Sequence, residues 1–273
     1  MLIDTHAHLN FKAFNKDLPQ VIERATKTSV MKIIIPGAKI DSSRKAVEIA
    51  HKYPSCFAAV GIHPHHAPDY EILLAERNKR GILKKEFASF TKQKKVVAVG
   101  EVGLDYHQYQ GYPPISASGK YVQKQLFLLQ LSLALEANLP LIFHCRQAYD
   151  DLIFTIMSFL KNPKKKVMGV FHCFAGTKKH LASILDLGFY IGFDGNITYP
   201  ENKHLHNLVK STPIERILLE TDSPFLAPVP FRGKRSQPSY LPHIAAAVAS
   251  ILKKELTLIQ EITSGNASKL FNL

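Results

Sequence analysis

The chain has 273 residues, 46% of them hydrophobic, with 35 Lys and Arg against 22 Asp and Glu, which gives a formal net charge of +13. Apolar residues this abundant exclude an intrinsically disordered chain, and the length suffices for one large α/β barrel or for two smaller domains. The excess of positive charge indicates a polyanionic partner such as nucleic acid, although a solvated basic surface would give the same balance.

Cysteine content and hydropathy predict a cytoplasmic protein without a membrane partner. The three cysteines, at positions 56, 145 and 173, are odd in number and include no C-x-x-C pair, which is typical of a reducing compartment. The N-terminus has neither the basic nor the apolar region of a signal peptide. The most apolar stretch, residues 126–145, is interrupted by polar residues and Pro140, so it is too short for a membrane span.

Eight short apolar runs, many of them β-branched, alternate with longer segments of helical periodicity along the chain. The runs lie at residues 2–4, 32–36, 57–62, 96–100, 139–143, 167–171, 189–193 and 216–220. Helices are predicted between them, most clearly at 41–53, 121–138 and 178–187, and two more at 241–273. Continuous apolar strands are typical of a parallel sheet buried on both faces. The pattern therefore predicts the α/β class, as a single (β/α)8 TIM barrel with extra C-terminal helices.

An open, doubly wound sheet would show the same alternation, but no glycine-rich nucleotide loop follows the first run. No linker interrupts the chain, so we expect residues 1–273 to form one domain. Residues 106–120, rich in Tyr, Pro, Gly and Ser, and residues 223–239, with four prolines and three basic residues, predict long loops. They follow the fourth and eighth strands, so both would lie over the same end of a barrel.

Side chains able to bind a metal follow most of the predicted strands. Residues two apart in a strand point the same way, so His6 and His8 can reach one centre from the first strand. The other candidates are His63, Glu101, His144, His172 and Asp222, after the third, fourth, fifth, sixth and eighth strands. Each alone could be a hydrogen-bonded structural residue, a helix cap or an ion-pair member. Together they meet at the C-terminal end of a barrel, where barrel enzymes hold their catalytic residues.

The number of these residues predicts more than one metal ion. A catalytic zinc typically takes about three protein ligands and a water, whereas the candidates other than His63 already offer four imidazoles and two carboxylates. Two divalent ions roughly 3.5–4 Å apart, bridged by a carboxylate, would use all six and would activate a water for attack on an ester or phosphodiester. The mixed donor set suits Zn²⁺, Mn²⁺, Co²⁺ or Fe²⁺ and, less naturally, Mg²⁺.

Six motifs occur along the chain: DTHAHL at 4–9, GEVGLDY at 100–106, FHCFAG at 171–176, ETDSPFLAP at 220–228, FRGKR at 231–235 and NASKLF at 266–271. Together they resemble the TatD family of metal-dependent deoxyribonucleases, which are amidohydrolase-like TIM barrels. The resemblance extends over essentially the whole chain, in order. Related barrels of the dihydroorotase and phosphotriesterase type bridge their metals with a modified lysine. The fourth strand here offers Glu101 instead, which favours the TatD branch.

The resemblance implies a role for each ligand. His6 and His8 would bind the first metal with Asp222, His144 and His172 would bind the second, and Glu101 would bridge both. Asp222 would also orient or deprotonate the attacking water. The expected catalytic residues are Asp222, Glu101 and His63.

Contacts with a substrate phosphate are expected from a second set of residues. They are His63, Arg146, Arg232, Lys234 and Arg235. His63 could equally be a structural loop histidine beside Pro64, and the basic loop could simply be solvated. Glu220 lies two residues before Asp222 and points the same way, so it is expected to contact and orient the ligand side chains without binding a metal itself. Tyr106, Tyr109 and Tyr112 could stack on bases or merely pack their loop.

The implied activity is metal-dependent hydrolysis of phosphodiester bonds, with DNA as the expected substrate of an exonuclease and a two-metal-activated water as nucleophile. The alternative is a metal-dependent deacylase or amidohydrolase acting on a small molecule or on aminoacyl-tRNA, because the same activated water attacks a carbonyl carbon. A third possibility is a nucleic-acid-binding barrel without catalysis, against which the complete ligand set argues. The resemblance also suggests a monomer.

Overall fold

Eight parallel strands, in sequence order, form a barrel in the computed structural model, which describes residues 1–111, 113–161 and 166–273. The strands are β1 (Leu2–Asp4), β2 (Val30–Pro36), β3 (Cys56–Val60), β4 (Val96–Asp105), β5 (Leu141–Arg146), β6 (Gly169–Phe171), β7 (Tyr190–Phe193) and β8 (Ile217–Leu219). The barrel closes between β8 and β1, where Thr5 N donates to Leu219 O (3.2 Å) and Asp222 N donates to His6 O (2.9 Å). The prediction of a TIM barrel is confirmed.

Helices connect the strands and surround the barrel. In the described residues they are α1 (Leu18–Lys27), α2 (Ile40–Lys52), α3 (Glu71–Ala75), α4 (Arg77–Thr91), α5 (Ala117–Ala137), α6 (Tyr149–Leu160), α7 (Lys178–Asp186), α8 (Lys203–Ser211), α9 (Leu241–Leu252) and α10 (Leu256–Phe271). The three clearest helix predictions and the two C-terminal helices are confirmed. None of these helices, across the described ranges, is long and apolar enough to cross a membrane.

Helix α5 begins earlier than the sequence predicted. The predicted loop at 106–120 ends at Ser116, whose hydroxyl accepts a hydrogen bond from Gly119 N (3.0 Å) and caps the helix. The helix ends at Asn138, which has a left-handed backbone (φ 52°), a common way for a helix to stop. The other predicted loop, at 223–239, contains the start of a short 3-10 helix, Pro238–Tyr240.

Strand β4 extends five residues beyond its predicted end at position 100, and this extension places Glu101 and Asp105 within the sheet. The added residues pair with β5, with Gly103 opposite His144 and Asp105 opposite Arg146. Gly103 has φ 150°, and a Cβ there would overlap the carbonyl oxygen of His144, so only glycine allows the two strands to approach this closely. The extension brings the ends of β4 and β5 into register.

Helix α10 covers the N-terminal end of the barrel. Its residues Ala267, Leu270 and Phe271 pack in one buried cluster with a residue or two from each strand, including Ile34 and Ile142. Asn266 Nδ2 also donates to Ile217 O (2.9 Å), at the beginning of β8. An apolar helix closes one end of the barrel, while the polar residues collect at the other.

If α10 closes the barrel in this way, Phe271→Ala should lower the free energy of unfolding by about 3–5 kcal/mol, because the side chain is only 2% exposed and its removal leaves a cavity. Urea unfolding followed by circular dichroism measures this difference. Phe154→Ala, on a side chain 68% exposed, is the matched control and should change stability by less than about 0.5 kcal/mol. Equal effects of the two substitutions would contradict the closing role of α10.

Candidate metal centre

The structure brings all six predicted metal ligands together at the C-terminal end of the barrel. His6 and His8 lie on the segment that follows β1, Glu101 in β4 and His144 in β5. His172 follows β6 directly and Asp222 follows β8 by three residues. Asp222 has a left-handed backbone (φ 48°), which is sparsely populated for a residue with a side chain and is often found at functional sites.

Glu101 lies between two groups of histidines. Its Oε2 atom is 3.4 Å from His6 Nε2 and 3.5 Å from His8 Nε2. Its Oε1 atom is 2.7 Å from His144 Nδ1 and 2.7 Å from His172 Nε2. One carboxylate therefore presents one oxygen to each group. The Glu101 side chain is 4% exposed, so both groups surround a carboxylate that is shielded from solvent.

The first group consists of His6, His8 and Asp222. The two Nε2 atoms are 3.2 Å apart, and Asp222 Oδ1 lies 3.7 Å from the first and 3.6 Å from the second. The pKa of His6 is lowered to about 3 and that of His8 to about 4, mainly because both side chains are buried. Both imidazoles are therefore neutral near pH 7 and offer a lone pair, which is the form that binds a metal.

The second group consists of His144 and His172, whose Nδ1 and Nε2 atoms are 3.2 Å apart. His63 adjoins it, with Nε2 3.6 Å from Glu101 Oε1 and with Nδ1 accepting a hydrogen bond from His65 N (3.1 Å). Burial opposes ionisation of Glu101, but its contacts with the surrounding histidines outweigh that effect and hold the pKa of the carboxyl well below its usual range. The carboxylate is thus available as an anionic ligand.

The side chains fit divalent metal ions. Among the residues that the structure describes, potential ligand atoms form three sets, and within each set the atoms lie no more than 4.8 Å from one another. The sets are His6, His8 and Asp222; His6, Glu101 and His172; and His63, Asp105 and His144. Imidazole nitrogens and carboxylate oxygens that converge in a buried space are the donors that zinc and similar ions prefer. The third set was not expected, since it joins His144 to His63 and to Asp105.

Asp105 is a residue of the centre to which the sequence analysis gave no role. Its Oδ2 atom is 3.1 Å from His144 Nε2 and accepts a hydrogen bond from Tyr109 Oη (2.7 Å). Burial disfavours protonation of His144, but its hydrogen bonds to Asp105 and Glu101 raise its pKa to about 9. Asp105 therefore orients the His144 ring. The spacing could have revealed it, because Glu101, Gly103 and Asp105 are two apart in one strand and point to the same side.

Three more buried carboxyls lie next to the candidate ligands, on Asp4, Asp194 and Glu220. Asp4 accepts from Thr221 Oγ1 (2.6 Å), Glu220 accepts from Cys173 N (2.5 Å), and Asp194 accepts from Asn196 N (3.0 Å). Asp194 immediately follows β7, a strand end at which the sequence analysis assigned no residue, although its position matches that of the other ligand-bearing ends. The Glu220 carboxyl has room beside β7 because residue 192 is glycine. A Cβ at that position would lie only 2.5 Å from Glu220 Oε2.

These carboxyls give the centre a high affinity for protons or for other cations. Burial raises the pKa of Asp4 to about 7. Burial and then the charge of Asp194 raise the pKa of Glu220 and that of Asp222 well above the usual range. His172 Nδ1 lies 3.8 Å from Glu220 Oε1, consistent with the supporting position expected for Glu220. Divalent ions would supply the positive charge that such a cluster requires.

The predicted phosphate contacts occupy the same end of the barrel but mostly have partners within the protein. Arg146 Nη1 donates to Tyr109 Oη (3.1 Å). Arg232 forms a two-point ion pair with Glu201 and Arg235 forms one with Asp17. Lys234 Nζ lies 5.9 Å from the ring centre of Phe231. Contact of these basic residues with a substrate stays a prediction.

The loop tyrosines take part in packing. Tyr106 Oη donates to Asp151 Oδ2 (2.7 Å), and Tyr109 Oη donates to Asp105 Oδ2, while Tyr112 lies outside the described residues. The hydroxyls of the first two are therefore used to hold the loop after β4 against α6 and the centre. This observation favours the packing role over base stacking for Tyr106 and Tyr109.

The barrel and its converging histidines and carboxylates define a metal-dependent hydrolase of the TIM-barrel type. A family model described as TatD related DNase matches residues 3–272, so the chain belongs to the TatD-related DNase family. The chain is 38% identical, over 100% of both chains, to the uncharacterized metal-dependent hydrolase YabD of Bacillus subtilis. It is 34% identical, again over 100% of both, to a protein of Erwinia tasmaniensis named 3′-5′ ssDNA/RNA exonuclease TatD.

Solved structures show the same likeness. The crystal structure of YJJV, a TatD homologue from Escherichia coli K12, has a TM-score of 0.84 and 28% identity, and the match covers 100% of this chain and 98% of that chain. A TatD family hydrolase from Entamoeba histolytica has a TM-score of 0.83 and 26% identity, with 99% and 97% of the two chains covered. The recognition of the family from its motifs is confirmed.

The raised pKa of Asp4 predicts how stability depends on pH in the metal-free protein. The folded state binds a proton at Asp4 up to pH about 7, whereas an unfolded aspartate releases it near 3.8, so the stabilising contribution is present at low pH and is lost as the pH rises from about 4 to 7. For a single carboxyl the loss is at most roughly 4 kcal/mol. Asp4→Asn should therefore lose less stability than the parent over this range.

Urea unfolding at a series of pH values, with chelator present, measures the effect. Asp186→Asn, at an exposed position at the end of α7, is the control and should leave the parent's dependence on pH unchanged. Parallel curves for Asp4→Asn and the parent would show that Asp4 is ionised in the folded protein throughout this range.

Proposed function

We propose that the protein is a metal-dependent exonuclease that hydrolyses phosphodiester bonds of single-stranded nucleic acid from the 3′ end, with DNA as the first substrate to test. The observation that carries this proposal is Glu101, whose two oxygens face two separate groups of ligands. Several relatives, among them proteins of Erwinia tasmaniensis and Klebsiella pneumoniae, are named 3′-5′ ssDNA/RNA exonuclease, which supports the substrate and the direction. The family membership supports the hydrolysis.

We propose that the centre holds two divalent ions. His6, His8 and Asp222 would hold one, His144 and His172 would hold the other, and Glu101 would contact both. When bound, such ions lower the pKa of a water and withdraw charge from the oxygens of a phosphodiester. Zn²⁺, Mn²⁺ and Co²⁺ suit these donors better than Mg²⁺, because four of the six side chains are imidazoles.

Two side chains have proposed roles in the chemical step. Asp222 accepts the proton of the attacking water, because its Oδ1 atom lies beside the first group, 3.7 Å from His6 Nε2 and 3.6 Å from His8 Nε2, within reach of a water activated there. His63 contacts the phosphate from the edge of the second group, near Glu101 Oε1. Asp105 holds the ring of His144 through its 3.1 Å hydrogen bond. Glu220 Oε1 lies 3.8 Å from His172 Nδ1, too far for a hydrogen bond, and contributes negative charge beside that ring.

We further propose that residues 1–273 act as one domain in a cytoplasmic monomer. The family model, which extends over residues 3–272 as one match, supports the single domain. The charge of +13 supports a polyanionic substrate, since a positive surface attracts a phosphate backbone over long distances.

The proposed activity predicts metal-dependent cleavage that requires Asp222. Metal-free protein with Mn²⁺, Zn²⁺, Co²⁺ or Mg²⁺ added back should shorten a single-stranded oligonucleotide labelled at its 5′ end into a descending ladder. Asp222→Asn should reduce the rate at least 100-fold, because it removes a general base and an anionic ligand without changing the volume. Asp69→Asn is the matched control and should retain the rate of the parent.

The metal content of each protein, measured by elemental analysis, separates the two roles of Asp222. Two ions per chain in the parent would support the proposed stoichiometry. Immediate release of the label from a 3′-labelled oligonucleotide would support attack from that end. Protein that binds metal but cleaves no oligonucleotide would contradict the nuclease and favour the deacylase alternative.

Electrostatic binding of the strand predicts a change in salt dependence for Lys234→Ala. If Lys234 contacts a phosphate, the slope of log KM against log salt for single-stranded DNA should fall by about 0.7, the value for one phosphate contact on a single strand. The control is Lys254→Ala, which removes one exposed positive charge from the turn between α9 and α10. Equal slopes for both variants would rule out the Lys234 contact.

A further inference from the structure

A cleft of about 640 Å³ opens beside the metal centre, between the segment after β1, the beginning of α2 and the loop after β8. Its size lies within the range of roughly 300–1,000 Å³ typical of ligand-binding pockets. The residues that matter here are Phe11, Lys12, Lys39, Asp41, Lys45 and Phe225. The cleft therefore combines aromatic side chains with an excess of positive charge.

The cleft shares a wall with the metal centre. The ring of Phe11 stacks on the ring of His8, with centroids 4.4 Å apart and an angle of 23°. Phe225 meets His8 edge-on at 6.3 Å and Phe11 edge-on at 6.2 Å. A molecule that occupies the cleft thus lies one aromatic ring away from a metal ligand.

Phe225 leaves 51% of its surface exposed, although it is next to the centre. An exposed ring at the mouth of a cleft offers a face on which a base can stack, and stacking of this kind tolerates every base because each has a π-face. Phe225 lies in the ETDSPFLAP segment, three residues after Asp222, so the chain fixes it relative to a proposed catalytic group. Its position suits the base of a nucleotide whose phosphate is at the centre.

The charges around the cleft favour a phosphate backbone. Lys12 and Lys39 are exposed, and Lys45 Nζ donates to Asn15 Oδ1 (2.7 Å). The carboxylate of Asp41 is paired with Arg44, whose Nη1 lies 3.3 Å from Asp41 Oδ1. The cleft therefore has three lysines and one carboxylate, and that carboxylate is already paired with an arginine. The edge of the cleft carries a net positive charge.

The cleft is held in shape by the protein itself. Asn10, which precedes Phe11, is buried, and its Nδ2 atom donates to Pro36 O (2.9 Å) at the end of β2 and to Ser42 O (2.9 Å) in α2. These bonds tie the segment that carries His8 and Phe11 to two neighbouring elements. A preformed cleft reduces the conformational entropy that a ligand must overcome on binding.

We propose that this cleft binds the nucleotide next to the scissile phosphate, with its base stacked on Phe225 and its backbone near Lys12 and Lys39. This inference rests on the proposed nuclease function and adds to it a base-binding subsite without sequence specificity. The occupant is a nucleotide of the substrate strand, because only a polyanion with aromatic bases matches both the exposed ring and the positive edge.

The test compares Phe225→Ala and Phe225→Trp with the parent holoenzyme and with Phe154→Ala, which removes the same ring from an exposed position on α6. One substrate is a single-stranded oligonucleotide, and the other is methyl 4-nitrophenyl phosphate, a small phosphodiester without a base. The KM of Phe225→Ala for the oligonucleotide should rise about five- to 100-fold, by more than any change on the small substrate. Phe225→Trp should restore binding, and Phe154→Ala should match the parent.

A set of oligonucleotides with one abasic site at successive positions locates the subsite. At one position, loss of the base should raise the KM of the parent as much as Phe225→Ala raises it for the intact oligonucleotide. The same abasic site should not raise the KM of Phe225→Ala any further. The same KM for Phe225→Ala and Phe154→Ala would overturn the inference. So would a KM of Phe225→Ala that exceeds that of the parent by the same factor at every abasic position. If the parent cleaves the small phosphodiester but no oligonucleotide, the proposed nuclease fails and this subsite with it.

Discussion

The Glu101 carboxylate is the group on which the rest of the site depends. A buried anion is unfavourable unless positive or hydrogen-bonding groups surround it, and here histidines from several strands converge on it. That convergence requires β4 to continue beyond position 100 and to stay paired with β5. Gly103 permits this pairing because it has no Cβ to overlap His144 O. The backbone of one strand therefore determines where both groups of ligands meet.

The two ends of the barrel have opposite chemistry, and each has a separate effect on the fold. At the N-terminal end, α10 adds apolar packing that stabilises the protein without polar groups. At the C-terminal end, buried carboxyls with raised pKa values, Asp4 and Asp222 among them, destabilise the fold whenever they lose their protons without a bound cation. Cation binding at this end is thus coupled to folding, since ions that bind only the folded chain add to its stability.

The sequence was sufficient to predict the barrel and the convergence of the six candidate ligands, because each lies at or just beyond the end of an apolar run and parallel strands align their ends. Asp105 and Asp194 were missed for different reasons: the first because β4 is longer than its apolar run, the second because a single aspartate after a strand gives a weak signal. The ion pairs of Arg232 with Glu201 and of Arg235 with Asp17 join distant parts of the chain. No local pattern predicts such pairs, nor a cleft built from three segments.

The position of the cleft links substrate binding to the arrangement of the metal ligands. His8 uses its Nε2 edge in the first group and its ring face against Phe11, so one side chain belongs to both the centre and the wall of the cleft. In the proposed subsite, binding energy gained where a base stacks on Phe225 would fix the position of the adjoining phosphate relative to His8 and Asp222. Because stacking is insensitive to base identity, a strand would be held in the same register after each cleavage. A site of this kind suits an enzyme that removes successive nucleotides from one end of a chain.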